Sequence, residues 1–149
     1  LTNNKGQIVF TDIKFAEIFG REYSRLQREH WAGDEARARY YILSNILRRA
    51  IKRKIISIND LRKTDNEVIN LLINSNDDII LKGLNLLKEG FVIKKSEEGI
   101  ELKKKFRYVD PEVLVERGVR RLSEMSQEYK KFLDREKEDA KNYSRIIII

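Results

Sequence analysis

The sequence contains no cysteine and a single histidine, His30, among its 149 residues. Without thiolates, disulfide frameworks and cysteine zinc sites are excluded, and one histidine cannot form a multi-histidine metal cage. There is no run of about 18 apolar residues, and the chain does not start with the charged and then apolar pattern of a secretory leader. We therefore expect a cytoplasmic protein with no membrane partner and with no cofactor held by this chain alone.

Acidic residues are fewer than basic ones, so the chain carries a net charge of +7, with 37% of its residues charged. Such a basic excess favours polyanionic partners such as nucleotides, nucleic acid or an acidic protein face. It is equally typical of the salt-bridged surfaces of heat-stable proteins, so charge by itself leaves both interpretations open. The chain begins at Leu1 rather than at a methionine, which we interpret as the mark of a piece of a longer protein.

Apolar residues at three- and four-residue spacing predict two amphipathic helices after an extended segment at 7–10. Thr11 or Asp12 can cap the first helix, and Asp34 can cap the second after an interruption near Gly33. The first helix is predicted to bury Phe15, Ile18, Phe19 and Leu26. The second is predicted to bury Tyr40, Leu43, Ile46, Leu47, Ala50 and Ile51, with Arg37, Arg48, Arg49 and Lys52 outside that stripe.

Three capping signatures follow, each a hydroxyl residue followed three residues later by a carboxylate. The pairs are Ser57 with Asp60, Thr64 with Glu67, and Ser75 with Asp78. They predict three short helices at about 58–63, 65–73 and 76–89. Gly90 is predicted to end the third helix with a left-handed backbone conformation.

After Gly90 the hydrophobic period changes from 3.6 to 2, which is typical of strands. Residues 91–95 and 100–109 are predicted to form a hairpin joined by "SEEG", which ends at the only proline, Pro111. A further helix is predicted from about Ser123, and 146–149 as a final strand of the same sheet. We therefore predict an α+β, mostly helical protein, in which a helical region at 1–89 precedes a C-terminal subdomain at 90–149 with a small antiparallel sheet and a packed helix.

One cluster of side chains is suited to binding phosphate. In "REYSRLQREH", three arginines lie three or four residues apart and so share a helix face, where their guanidinium groups can hold phosphate oxygens. The candidate nucleotide- or phosphate-binding residues are Arg21, Tyr23, Arg25, Arg28 and His30. An alternative is an exposed helix flank that pairs with Glu22 and Glu29, in which His30 caps the helix end.

The order of three helices and a hairpin between Ser57 and Val109 is similar to that of a winged helix, whose second helix enters the major groove while its basic wing touches phosphates. On this alternative the chain binds nucleic acid. The expected DNA contacts are Lys94, Lys95, Lys103, Lys105 and Arg107. The helix that would enter the groove starts with Asp77 and Asp78, whose charge opposes phosphate contact.

A second resemblance covers more of the chain. Residues 42–75 resemble the helical region that follows the catalytic core of HD-domain phosphohydrolases related to dNTP triphosphohydrolases. The matching positions are Asp60, Leu61, Thr64, Asp65, Val68, Leu71, Leu72 and Ser75. The stretches "KFRYVDPEV" at 105–113 and "RRLSEMSQEYKKFL" at 120–133 are similar to the C-terminal piece of microbial members.

This resemblance implies a nucleotide phosphohydrolase lineage in which two histidines and two aspartates hold a divalent metal that activates water. The present chain has no adjacent His-Asp pair, so the metal core would lie upstream and the nucleotide would bind through that missing core. The chain would then be a noncatalytic C-terminal portion that supplies substrate-side contacts and a homo-oligomer interface. The family's substrate-contacting helix corresponds to the segment with Arg21, Tyr23, Arg25, Arg28 and His30. A module that serves only assembly is the third hypothesis.

Overall fold

The structure, a computed structural model, describes residues 1–103 and 106–149, and the fold is α+β and mostly helical, as predicted. The chain forms two compact units. The first unit comprises 1–33 and 101–144, and the second comprises 34–100 and 145–149. Each unit therefore combines segments from both sides of residue 89, where the sequence predicts a division.

The elements follow one another along the chain as short strands and helices. In order they are β1 (Thr2–Asn4), β2 (Gln7–Val9), α1 (Ile13–Leu26), a π-helical turn (Gln27–Trp31), α2 (Asp34–Lys52), a 3-10 turn (Ile58–Arg62), α3 (Asp65–Ile73), α4 (Asp78–Glu89), β3 (Ile93–Leu102), β4 (Glu112–Val115), β5 (Gly118–Arg121), α5 (Leu122–Met125), α6 (Gln127–Asp139) and β6 (Ser144–Ile148). Among the described residues, no helix combines the length and the apolar character needed to cross a bilayer.

The core of the first unit is built around Tyr129 of α6, which is fully buried. Its hydroxyl donates to the backbone carbonyl oxygen of Val109 at 2.8 Å, and burial raises the pKa of Tyr129 to about 12. The ring lies against Gly20 of α1, where an added Cβ would overlap the hydroxyl oxygen and come within 2.7 Å of Cζ. A glycine at position 20 is therefore what allows Tyr129 to pack on α1.

The face that α1 buries is different from the predicted one. Its buried residues are the small side chains Ala16, Gly20 and Ser24, spaced by one helical turn. The predicted burial of the apolar residues is wrong at three positions, because Phe15, Ile18 and Phe19 are 65%, 49% and 47% exposed, while Leu26 is half-buried. The reason is steric, since a bulky face on α1 would leave no room for the ring of Tyr129.

In the second unit, α2 packs on α4 around an aliphatic core. The cluster consists of Ile42, Ile46, Ala50, Ile56, Leu72 and Ile80. Gly83 permits close contact of the two helices, because an added Cβ would lie 2.8 Å from Cδ1 of Ile46. The predicted stripe of α2 is confirmed at Ile46 and Ala50 and is wrong at Tyr40 and Leu43, which are exposed.

Arg37 was expected outside the buried stripe of α2, and the structure instead buries it. Its guanidinium group pairs with the carboxylate of Asp34, three residues earlier on the same helix. The ion pair provides a partner for the charge, which burial of an arginine requires.

Two of the three predicted capping boxes are confirmed. Ser57 and Asp60 exchange backbone and side-chain hydrogen bonds at the 3-10 turn, and Thr64 and Glu67 do so at α3. A hydrogen bond from Lys63, together with those from Ser57, holds the pKa of the Asp60 carboxyl below its usual range. The hydrogen bonds from Thr64 likewise lower the pKa of Glu67. The third box is wrong, because Asp77 and not Ser75 caps α4.

Asp77 joins the start of α4 to α2. Its Oδ1 accepts hydrogen bonds from the N–H groups of Ile79 and Ile80 at 3.1 and 3.2 Å. The Nε of Arg49 donates to both carboxylate oxygens at 2.8 and 3.0 Å, although the side chain of Asp77 is only 5% exposed. The hydrogen bond from Arg49 is the main cause that lowers the pKa of Asp77 from 3.8 to about 2.

The hairpin predicted at 91–109 is not formed by the described residues. β3 continues as one strand through the "SEEG" segment and pairs with β6. The predicted final strand is therefore confirmed, but it joins one long strand and not a hairpin. Val92 and Ile149 exchange N–H···O bonds of 2.8 and 2.9 Å, the pattern of antiparallel strands. At Gly99 an added Cβ would lie 2.6 Å from the backbone of Ile146, so this glycine serves close strand approach rather than a turn.

We predict that Gly20→Ala destabilises the protein by about 1–3 kcal/mol, because the added methyl group collides with a fully buried ring. Ala has the better helix propensity, so a loss of stability would be a direct sign of this collision. Chemical denaturation followed by circular dichroism measures the free energy of unfolding. In a Tyr129→Phe background, which removes the nearest atom, the same substitution should cost less. An equal cost in both backgrounds would contradict the assigned contact.

We predict that Asp77→Asn lowers Tm at neutral pH, because asparagine keeps an acceptor for the cap and loses the charge that pairs with Arg49. Folding lowers the pKa of Asp77, so its charge stabilises the folded state fully above about pH 4 and ceases to do so as the pH falls through about 2. The Tm difference between the variant and the wild type should shrink over that range. The control is Asp78→Asn, an exposed neighbouring carboxylate whose removal should change Tm little. A difference that stays constant down to pH 2 would exclude this linkage.

Candidate functional site

The predicted phosphate-binding residues lie at the C-terminal end of α1 and in the π-helical turn of the first unit. The turn is closed by a hydrogen bond from the N–H of Ala32 to the carbonyl oxygen of Gln27, five residues earlier, at 2.8 Å. Such turns are rare in helices and occur often at functional sites. The extra residue in the turn leaves Arg28 and His30 exposed and turns Gln27 inward.

Each of the three predicted arginines is held by carboxylates. Arg21 binds Glu17 at 2.6 Å, and its guanidinium group lies 4.7 Å from the ring centroid of Phe132. Arg28 binds Glu136 of α6 at 2.5 Å. These partners neutralise much of the positive charge on the predicted face.

Arg25 pairs with the two glutamates of the alternative interpretation. It binds Glu22 and Glu29, each at 2.8 Å. The hydrogen bonds that the Arg25 guanidinium group donates to Glu22 and Glu29 raise the pKa of Arg25. The predicted pairing with Glu22 and Glu29 is thus present, and phosphate binding by this face stays a prediction.

Tyr23 and His30 complete the predicted set. The ring of Tyr23 lies edge-on to Trp31 at a centroid distance of 5.2 Å and an angle of 63°. His30 is exposed at the end of the π-helical turn. The tyrosine is therefore fixed by an aromatic contact, whereas the histidine faces solvent.

A cavity of about 50 Å³ adjoins the π-helical turn. It is lined by Gln27, Arg28, Ala32, Phe106, Arg107, Glu136, Asp139 and Ala140. Ligand pockets typically measure about 300–1,000 Å³, so this cavity has room for one small polar group of a larger ligand and not for a whole nucleotide. Its lining residues include two arginines, one phenylalanine and two acidic residues.

The cavity brings together residues that the sequence assigns to different hypotheses. Arg28 belongs to the predicted phosphate-binding helix, and Arg107 belongs to the predicted DNA-binding wing. Beside them, the ring of Phe106 stacks on Tyr108 at 5.2 Å with an angle of 17°. The alternation of basic and aromatic residues in "KFRYV" is the sequence pattern that marks Phe106 and Arg107 as candidate contacts. No sequence signal identified Glu136 or Asp139, because their helical segment resembles any charged helix end.

The predicted DNA contacts that the structure describes are not arranged as a two-stranded wing. Lys94 and Lys95 are exposed on β3 of the second unit, and Lys103 and Arg107 are exposed in the first unit. Lys105 lies outside the described residues. The hairpin that would form the wing is replaced by the pairing of β3 with β6, so this part of the winged-helix interpretation is wrong. Binding of DNA by these residues stays a prediction.

The metal that the resemblance implies does not fit the residues of this chain. Within 1–103 and 106–149, no group of three or more histidine, cysteine, aspartate or glutamate side chains could hold a metal ion. The only histidine of the sequence, His30, cannot supply a ligand set with two histidines.

Comparisons with known proteins give one partial match. A curated relative, the uncharacterised protein YdhJ of Bacillus subtilis strain 168, is 32% identical over 79 residues. The match covers 52% of this chain and 24% of the relative, so the chain spans about a quarter of that protein's length. No protein-family model matches the chain. No solved structure matches it either.

Proposed function

We propose that this chain is the noncatalytic C-terminal portion of an HD-type nucleotide phosphohydrolase, where it supplies substrate-side contacts and an oligomer interface. The observation that carries the proposal is the convergence of Arg28, Arg107 and Phe106 on one cavity. The catalytic core, with its divalent metal, lies in the parent protein outside this chain. The parent is a cytoplasmic hydrolase that binds a nucleotide through that core.

The side chains at the cavity suit part of a nucleotide. Guanidinium groups bind phosphate oxygens with paired, charge-assisted hydrogen bonds, and aromatic rings stack on bases. The cavity accommodates one phosphate-sized group at most, so the rest of a nucleotide would be bound by the core. If the cavity binds one phosphate group and the core binds the rest of the nucleotide, this noncatalytic region adds to the substrate affinity of the parent enzyme.

Glu136 limits how strongly Arg28 can bind a phosphate group. It holds Arg28 at 2.5 Å and its side chain is only 14% exposed. An incoming phosphate competes with this carboxylate for the same guanidinium group. We therefore expect the isolated chain to bind nucleotides weakly and the complete enzyme to bind them well, because the core fixes the phosphate next to the two arginines.

The length of the relative supports the same proposal. Since the matched segment is about a quarter of the relative, most of that protein lies outside the region shared with this chain. A longer parent has room for a metal core of the kind that the resemblance implies. This chain would then serve as an accessory region of a larger enzyme.

The first experiment is to isolate the natural product from its source cell and to determine its intact mass and N-terminal sequence. We expect an upstream segment with a His-Asp pair and Mn²⁺-dependent hydrolysis of deoxynucleoside triphosphates, while the isolated chain hydrolyses none. A natural product that begins within a residue or two of Leu1, or a long product without hydrolysis, would contradict the proposal. Hydrolysis by the isolated chain would show that it is not noncatalytic.

In the whole natural product, we predict that Arg28→Gln and Arg107→Gln each raise KM about tenfold with little change in kcat, because each removes a charged hydrogen bond to bound substrate. The matched control is Arg121→Gln, which removes the same charge from an exposed position of the first unit outside the cavity. Steady-state kinetics measures both constants. Equal KM values for the cavity variants and the control would exclude substrate contact at the cavity.

A further inference from the structure

Three of the apolar side chains that α1 leaves exposed form a continuous strip, which we call the α1 face. It consists of Phe15, Ile18 and Phe19, which are 65%, 49% and 47% exposed. Residues three and four apart are neighbours on a helix surface, so the three side chains adjoin one another. The edge of the strip is fixed by Phe19, whose ring lies 5.4 Å from that of Phe10. An exposed aromatic patch of this kind marks an interaction surface.

Two charged residues sit symmetrically about the centre of the α1 face. Lys14 precedes Ile18 by four residues, and Glu22 follows it by four. Each is therefore about 6 Å from Ile18 along the helix axis, in opposite directions. Both are exposed. Among the described residues, Arg25 contacts the carboxylate of Glu22 at Oε2, so a cation of a second copy would approach it at Oε1.

This symmetry makes the α1 face complementary to itself in one orientation. When two copies of α1 pair in antiparallel fashion with Ile18 on the two-fold axis, Lys14 of one copy reaches the height of Glu22 of the other. The symmetry repeats the contact, so the dimer has two such pairs. A parallel arrangement would place Lys14 opposite Lys14 and Glu22 opposite Glu22, which is repulsive. The charges thus select the antiparallel dimer.

We propose that two copies of this chain associate through antiparallel α1 helices, with Phe15, Ile18 and Phe19 packed at the centre and Lys14 paired with Glu22 of the other copy. The inference rests on the proposed function in that it names the surface of the oligomer interface. Burial of the α1 face drives association, and the ion pairs at its rim set the register of the two helices.

Sedimentation velocity over a concentration series tests the proposal with the full chain. The wild type should form a dimer, and Ile18→Ser should raise the dimer Kd by more than about tenfold, because the residue meets its own copy at the axis. The control is Ile79→Ser, which removes an exposed isoleucine of α4 and should leave the Kd unchanged. Since both positions are exposed in the monomer, Tm at low concentration should stay near the wild-type value.

Charge exchange tests the orientation. Lys14→Glu and Glu22→Lys should each weaken the dimer, because each places like charges opposite one another at both ends. The double variant should restore a Kd close to that of the wild type. A monomeric wild type, a dimer insensitive to Ile18→Ser, or no recovery in the double variant would overturn the proposal.

The same variants separate this inference from the proposed function. In the natural product, a dimer disrupted by Ile18→Ser with hydrolysis intact supports the α1 face and leaves the enzyme assignment standing. A natural product without hydrolysis contradicts the proposed function, while the sedimentation result for this chain still decides the α1 face.

Discussion

The first unit depends on the packing of Tyr129 against Gly20. The ring is fully buried, and its hydroxyl bonds the carbonyl of Val109, so both ends of the side chain are fixed. Only a face of small residues can accept it, and this requirement orients α1 with Ala16, Gly20 and Ser24 inward. The consequence appears on the opposite side of the helix, where its aromatic residues are left in solvent. One steric constraint thus decides both the core and the candidate interface.

The second unit relies on a comparable combination of close packing and a buried charge. Gly83 lets α4 approach Ile46 of α2, and Asp77 fixes the start of α4 by accepting from its backbone while binding Arg49. A buried carboxylate is costly unless its charge and its hydrogen bonds are satisfied. The Asp77 carboxylate has both its charge and its hydrogen bonds satisfied, and it thereby connects the start of α4 to α2. Local capping and tertiary packing therefore act through the same residue.

Charge pairing limits how much of the basic surface is free of acidic partners. The arginines of α1 and the π-helical turn are distributed among glutamates, so an excess of positive charge in the composition does not become an open phosphate surface. Arg28, Arg107 and Phe106 line one cavity of the first unit. With a volume of about 50 Å³, this cavity suits only a part of a nucleotide, which is why the proposed function assigns the rest of the substrate to a catalytic core outside this chain.

The sequence by itself determined the features that depend on neighbouring residues: the fold class, the capping boxes at Ser57 and Thr64, the end of α4 at Gly90 and the strand at the C-terminus. These follow from hydrogen bonds and backbone preferences within a few positions. Tertiary structure alone decided which face of α1 is buried, that β3 runs on as one strand instead of turning at "SEEG", and that Arg28 and Arg107 line one cavity. Each of these outcomes depends on the shape of a partner distant in the chain, and hydrophobic periodicity carries no information about that shape.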